Sequence, residues 1–293
     1  MRVTTSSIYE SARQQVGVGQ KQAADLRDAI STGVKVETFA DDPQAAYRIV
    51  RDTGRLADIE AHRGSLSRVG TLLGVSENQL DNAANVINRV RELATQMASD
   101  TYNASNRTVA ADEIVQLRAH LVSIANSRAD GRYIFGGIGN AAPPFDAAGN
   151  FGGDTNTLTV AVTRTLTMSA TLPGGEPFED PSGGPSVFQT LDAIEVALRA
   201  DNGRAVGALV DEVVTHHDRL TVSQQQLGGL FRRIDTVSEA LDRTELATTE
   251  TLSAARDTDF ATAILSLTQT EESLRAALAT TARIDQLSLL NYI

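Results

Sequence analysis

The chain has 293 residues, 26 basic against 37 acidic side chains for a net charge of -11, 4% aromatics, no Trp and no Cys. That balance argues against nucleic-acid binding through a basic surface, and the missing cysteines exclude disulfides, thiolate catalysis and cysteine metal sites. So few large side chains point to apolar surface buried along thin helical seams and not in one thick core.

The N-terminal stretch MRVTTSSIYESARQQ lacks the apolar region of a secretory signal. No run of 18 apolar residues occurs, so no segment is expected to span a membrane. The expectation is a chain that is either cytoplasmic or exported without a cleaved signal. Across the first thirty residues Ile8, Ala12, Val16, Gly19, Ala23, Leu26 and Ile30 recur at three-or-four spacing, which predicts an amphipathic helix. The stretch STGVKVETFADDPQAAYR, residues 31–48, interrupts it. Gly33 supplies a helix stop and VKVETF reads as an extended spacer. Asp42 caps the next helix, with Pro43 at its first position, where the missing N–H costs nothing.

A long heptad-like pattern follows. Alternate steps of three and four from Ile49 reach Leu56, Ile59, Leu66, Leu73, Leu80, Ile87 and Ala94, with Asp52, Arg63, Gly70, Glu77, Ala84, Arg91 and Ala98 between them, and Val69, Leu72, Val90 and Leu93 flank the seam and widen it. A helix of this extent would be about 80 Å long. A second such run starts at Val206 and steps through Val210, Val213, His217, Leu220, Gln224, Leu227, Phe231, Ile234 and Leu241 to Ala255. Two runs of similar length predict an antiparallel pair. Polar residues on the steps read either as facing solvent where the seam drifts, about 20° per heptad, or as setting register or meeting a neighbouring subunit.

Between the long runs lie shorter helices near 106–127, capped by Ser105 or Asn106, and near 187–199, which ends at the stop ADNG. The two glycosylation-like patterns in NASNRT read as a chance helix break with a cap. Residues 131–185 hold 11 of the 22 glycines and 6 of the 7 prolines, which marks an insertion of a different kind. Within it LTVAVTRTLTMSATL, residues 158–172, alternates as a half-buried strand does. At the far end ARDTDFAT is a second break, with Asp257 or Thr258 restarting a last helix that carries Phe260, Ile264, Leu267, Leu274 and Leu278, then Ile284 and Leu287. Neither terminal helix has a sequence neighbour to cover it, so the two are expected to pair. Two such helices are marginal alone in water and are expected to order on contact with other subunits.

Catalytic patterns are weak. His62, His120, His216 and His217 read as solvated or interface histidines, and Glu212 with His216 is one pair, short of a metal site. No G-x-S-x-G elbow occurs, and the Gly pairs lack a following Lys-Ser/Thr. The reading is therefore no enzyme, no cofactor and no metal.

The STG stop, the DDPQAAYRIV restart (41–50), GRYIFGG (131–137) and the C-terminal DTDFATAILSLTQTEESLRAAL and QLSLLNYI, in this order, resemble the flagellin-like axial proteins of the bacterial flagellum, and among them the hook-filament junction members. The resemblance covers roughly residues 1–140 and 190–293. It implies a mainly α fold: terminal coiled-coil helices (1–40 and 258–293), a helical rod domain (41–130 and 186–257) and a β-rich outer insertion (131–185). It further implies a structural protein exported by the flagellar type III apparatus and located extracellularly. The implied partners are copies of itself in a ring-like assembly, the first hook-associated protein, flagellin, and an export chaperone on the C-terminal helix. A flagellin or minor filament subunit is the alternative reading. The expected assembly residues are the apolar positions named above on the two terminal helices, with Gly33, Asp42, Pro43 and Asp257 forming the joint.

Overall fold

Outside residues 131–185 the only proline is Pro43, so nothing interrupts the 3.6-residue period for long stretches. The computed structural model describes residues 5–139 and 141–290, with side chains for 10–139 and 141–283. Six helices dominate: α1 (Thr5–Thr32), α2 (Pro43–Met97), α3 (Ala104–Ala125), α4 (Val187–Arg199), α5 (Gly203–Arg256) and α6 (Phe260–Leu290). Four short strands form two antiparallel pairs, β1 (Arg128–Ala129) with β2 (Arg132–Tyr133) and β3 (Thr159–Ala161) with β4 (Thr167–Ser169). The chain is thus mainly helical with a small β insertion. It forms two compact units, residues 59–242 and residues 1–58 with 243–293.

In the 59–242 unit, α2 and α5 lie antiparallel. Their cross-links run Arg63–Asp242, Asp81–Gln224 and Asn88–His217, advancing on one helix as they recede on the other. The seam between them is a heptad stripe. Ile59, Leu66, Leu73, Leu80, Ile87 and Ala94 are all buried on α2, as are Val206, Val213, Leu220 and Leu227 on α5. The second set of seam positions differs from the expectation. Val69 and Val90, expected as flanking residues, form it with Ser76, Ala83 and Met97 on α2, and His216 and Ser223 occupy it on α5. The expected Arg63, Gly70, Glu77, Ala84 and Arg91, and likewise His217 and Gln224, lie one position aside. Glu77 and Arg91 are exposed, while Arg63, His217 and Gln224 make the rim bonds just named. The cause is a phase choice: steps of three then four from Leu66 keep the stripe apolar or small, whereas four then three admits charges. Of the four histidines, read as solvated or interface residues, His216 is buried and bonds Thr190 of α4, which leaves only the interface reading for it.

The helices turn a tight corner around Arg107. Its guanidinium donates to the carbonyls of Met97, Ser99 and Asp201 and to the Asp201 carboxylate. Met97 O is an orphan acceptor at the end of α2, so one buried side chain satisfies a helix terminus and binds it to the α4–α5 turn. α3 is capped by Asn103, whose Oδ1 accepts from Asn106 N at 3.0 Å, and not by Ser105 or Asn106. α4 starts with a reciprocal box in which Ser186 Oγ takes Gln189 N–H and Gln189 Oε1 takes Ser186 N–H.

The insertion is better filled than the composition suggests. Phe135, Phe145, Phe178 and Phe188 are fully buried and meet edge-on or tilted at centroid distances of 5.2–6.0 Å, with Phe151 at the margin. Five of the eight phenylalanines therefore form one thick cluster, not a thin seam. The Asn126 side chain, at the end of α3, bonds both N and O of Phe145 and ties this cluster to the helices. Gly137, at φ +74°, and Gly174 both pack on the Asp154 carbonyl, where a Cβ at either would collide with it. The alternation of 158–172 is real but folded in two. Val160 pairs with Met168, and the Thr163 hydroxyl accepts the N–H groups of Thr165 and Leu166 in the turn. A single strand would have put Arg164 on the buried face; the hairpin leaves it exposed.

Replacing Arg107 with Ala leaves these carbonyls facing a void and is expected to lower stability by about 3 kcal/mol, read from the urea midpoint of the full chain; a loss within experimental error would show that water serves the corner equally well.

Candidate assembly surface

The two helix breaks meet in the unit formed by residues 1–58 and 243–293. Gly33, at φ +75°, ends α1 by returning its N–H to Ala29 O at 3.0 Å. The next residues pair with the other break. Val34 and Asp257 form an isolated antiparallel bridge, Lys35 N donates to Arg256 O at 2.8 Å, and Thr258 N donates to Gly33 O at 2.9 Å. Lys35 Nζ caps the last turn of α5 through Ala254 O at 2.6 Å, a cation at the negative end of a helix. The expected spacer VKVETF is extended only at its start. Asp41 then gathers the N–H groups of Glu37 and Thr38 and the Thr38 hydroxyl, making a compact turn. These bonds, the Thr38 N–H foremost, hold the Asp41 carboxyl below the usual carboxylate range.

Asp42 and Pro43 stand as expected. Pro43 opens α2, and Asp42 Oδ1 accepts from the amides of Gln44 and Ala45. At the other break the cap moves by two residues. Asp259, and not Asp257 or Thr258, accepts the N–H groups of Ala261 and Thr262. Asp257 instead belongs to the bridge, its carboxyl lowered mainly by the Arg256 guanidinium. Deeper in this unit Asp52 is buried on α2. It takes Arg51 in a two-point ion pair and the Thr251 hydroxyl from α5, so its carboxyl lies below the ordinary range, mainly through Arg51.

α1 and α6 pack on each other antiparallel, with Gly19 beside Leu274 and Gly33 beside Phe260. Arg27 and Glu271 pair across them at 2.6 Å. Ala23 is buried, and Ala12, Val16, Leu26, Ile30, Leu267 and Leu274 are half-buried in the pair. Ile8, Ile284 and Leu287, with QLSLLNYI beyond Arg283, lie outside the described side chains. Phe260, Ile264 and Leu278 are only partly covered, 51%, 52% and 47% exposed, and Leu265 is more exposed still. A polar groove of about 520 Å³ runs along the pair, lined by Gln15, Gln22, Gln269, Ser266 and Thr270 among others. Fourteen large apolar side chains are exposed among the described residues, and nine of them belong to this unit. The other unit, although larger, exposes only five such side chains. Among the described residues no group of three His, Asp or Glu is placed to hold a metal.

Residues 3–140 match the family described as the bacterial flagellin N-terminal helical region. The flagellar hook-associated protein 3 of Salmonella typhimurium is 27% identical over 216 residues, covering 68% of this chain and 67% of that protein. Its counterpart in Escherichia coli is 23% identical along 99% of this chain and 98% of its own length. Both similarities are to flagellar hook-associated proteins. The fold agrees: the flagellar junction protein FlgL from Legionella pneumophila superposes with a TM-score of 0.61 at 16% identity, over 72% of this chain and 100% of that one.

Sequence reasoning missed Val18, Phe39, Tyr47, Val50, Leu246 and Leu265, all exposed in the same unit. Tyr47 and Val50 lie three apart on α2, and that i, i+3 apolar pair at the start of the helix was the available signal. Gly33→Ala puts a Cβ on a left-handed residue at a cost of about 1 kcal/mol. Faster amide exchange at Lys35 and Thr258, with α3 amides unchanged, is the expected result; uniform exchange would mean the joint carries no local strain.

Proposed function

We propose that this chain is a structural, non-catalytic component of the bacterial flagellum that forms the junction zone between hook and filament and adapts one lattice to the other. The observation that carries this reading is the gathering of exposed apolar side chains in the unit that contains both terminal helices. A monomer gains nothing from that surface; a subunit flanked by copies of itself buries it. In this reading residues 1–40 and 258–293 form the inner core of a ring-like assembly, 41–130 with 186–257 its helical shell, and 131–185 its outer face. The first hook-associated protein and flagellin are the neighbours above and below.

The chain leaves the cell unfolded through the type III apparatus, and a chaperone holds the exposed α6 face, where Phe260, Ile264 and Leu265 stand, until export. The lack of cysteine suits a chain that crosses from a reducing to an oxidising compartment without a disulfide to form or break.

Two measurements test this. Immunogold with antibody to residues 141–185 is expected to mark a single spot between hook and filament on intact flagella; label along the whole filament would make the chain a filament subunit. Limited proteolysis of dilute monomer is expected to clip residues 1–40 and 257–293 first, and protection of both ends would contradict ordering on assembly.

A further inference from the structure

The buried His216 has a defined proton arrangement. It is 3% exposed, on the seam side of α5. Arg219 Nη1 lies 3.1 Å from its Nδ1, and a guanidinium can only donate, so Nδ1 is the acceptor and carries no proton. The ring proton therefore sits on Nε2, which lies 2.9 Å from Thr190 Oγ1 on α4. With its oxygen accepting from the ring, the Thr190 hydroxyl donates to Glu212 Oε2 at 3.3 Å. Every donor in this chain has one acceptor, and the order of the bonds requires a neutral imidazole.

The same Arg219 holds the insertion. Its Nη2 pairs with Asp180 Oδ2 at 3.2 Å, while Asp180 Oδ1 accepts Ser182 N–H and Asp180 O accepts Gly183 N–H. Asp180 thus organises the loop that leads into the Ser186 cap of α4. The charged groups that bear on the ring are Arg219 from its own helix and Asp180 from this loop; Glu212 reaches it only through Thr190, and Glu179 faces Arg219 beside Asp180.

We propose that His216, Arg219 and Asp180 form an acid-released latch between α5 and the loop 176–186. A proton on Nδ1 turns the acceptor of Arg219 into a second donor and sets two cations side by side. Arg219 must then withdraw from the ring, and the Asp180 anchor moves with it. Among the described residues the other bond from this loop to α5 is Gln226 Nε2 to Glu176 Oε1. Burial, reinforced by Arg219 and opposed by Asp180, lowers the ring from 6.5 to about 4. The unfolded ring takes up a proton near pH 6.5 and the folded ring resists it. The stabilisation is therefore complete above pH 6.5 and is lost as pH falls toward 4. Asp180, itself held low chiefly by the Ser182 N–H, stays ionised through that window.

The test is hydrogen exchange of the full chain, corrected for intrinsic rates, from pH 7 to pH 3.5, alongside ¹⁵N shifts of the His216 ring. The wild type is expected to show an Nε2-protonated neutral ring at pH 7. Protection of amides 182–187 should then fall by about tenfold as the ring titrates, the equivalent of one pKa unit. In His216→Gln the amide oxygen can still accept from Arg219 but does not titrate, so the fall at those amides is expected to disappear. Identical profiles in the two proteins overturn the proposal. If the variant does not fold, the wild type alone decides: a ring that carries its proton on Nδ1, or that titrates while amides 182–187 stay protected, also overturns it.

Discussion

One dry stripe, seven residues apart on each of two facing helices, is the constraint on which residues 59–242 depend. Leu73, Leu80 and Ile87 on α2 and Val206, Val213 and Leu220 on α5 are all but inaccessible to water, and each such side chain contributes roughly 1.5–3 kcal/mol on burial. A stripe this narrow fixes distance but fixes register poorly, because one leucine resembles the next. Register comes from the rim, where Arg63, Asp81 and Asn88 bond Asp242, Gln224 and His217 on α5. A slip by one turn would break all three at once. α3 and α4 then follow from where α2 ends and α5 begins, and Arg107 ties those two points together.

Much of this was legible in the sequence. The long helices announce themselves by period and by the absence of proline, and the Asp42–Pro43 start by its chemistry. The phase of the seam was not legible from apolar counts, because Ser76, Ala83, His216 and Ser223 occupy core positions that small or polar types rarely advertise. Burial there is decided by how close two backbones approach, which is a property of the pair. The Asp130–Gly131 turn between β1 and β2, both residues at positive φ, and the Ser186-x-x-Gln189 box are local signals that were present and unread. Asp259 as the cap of α6 was one further such case, hidden by Asp257 two residues earlier.

The insertion resisted reading for a different reason. Its Gly and Pro content suggests loose turns, yet Gly137 and Gly174 are there because the Asp154 carbonyl occupies the space a side chain would need. Phe145 and Phe178 then fill the interior that the turns enclose, although 33 residues separate them in sequence. Neither fact has a periodic signature. Asn126 shows the same limit on a smaller scale: at the end of a helix it looks like a stop signal, while its amide also serves Phe145 as a strand partner would. The terminal helices fall between these cases, since their pairing followed from having no other cover, but the outward set of Phe260, Ile264 and Leu265 depends on how α6 rolls against α1.

At the joint the chain leaves α1 and re-enters α6 through two segments that lie abreast, held by Lys35 N to Arg256 O and Thr258 N to Gly33 O. That arrangement has a mechanical meaning. A pull or twist applied to the terminal pair travels through two short strands in parallel, and sliding one past the other must shear both hydrogen bonds together instead of opening them in turn. Neither strand bears load alone. A few residues of extended backbone on each side thereby resist sliding as one unit.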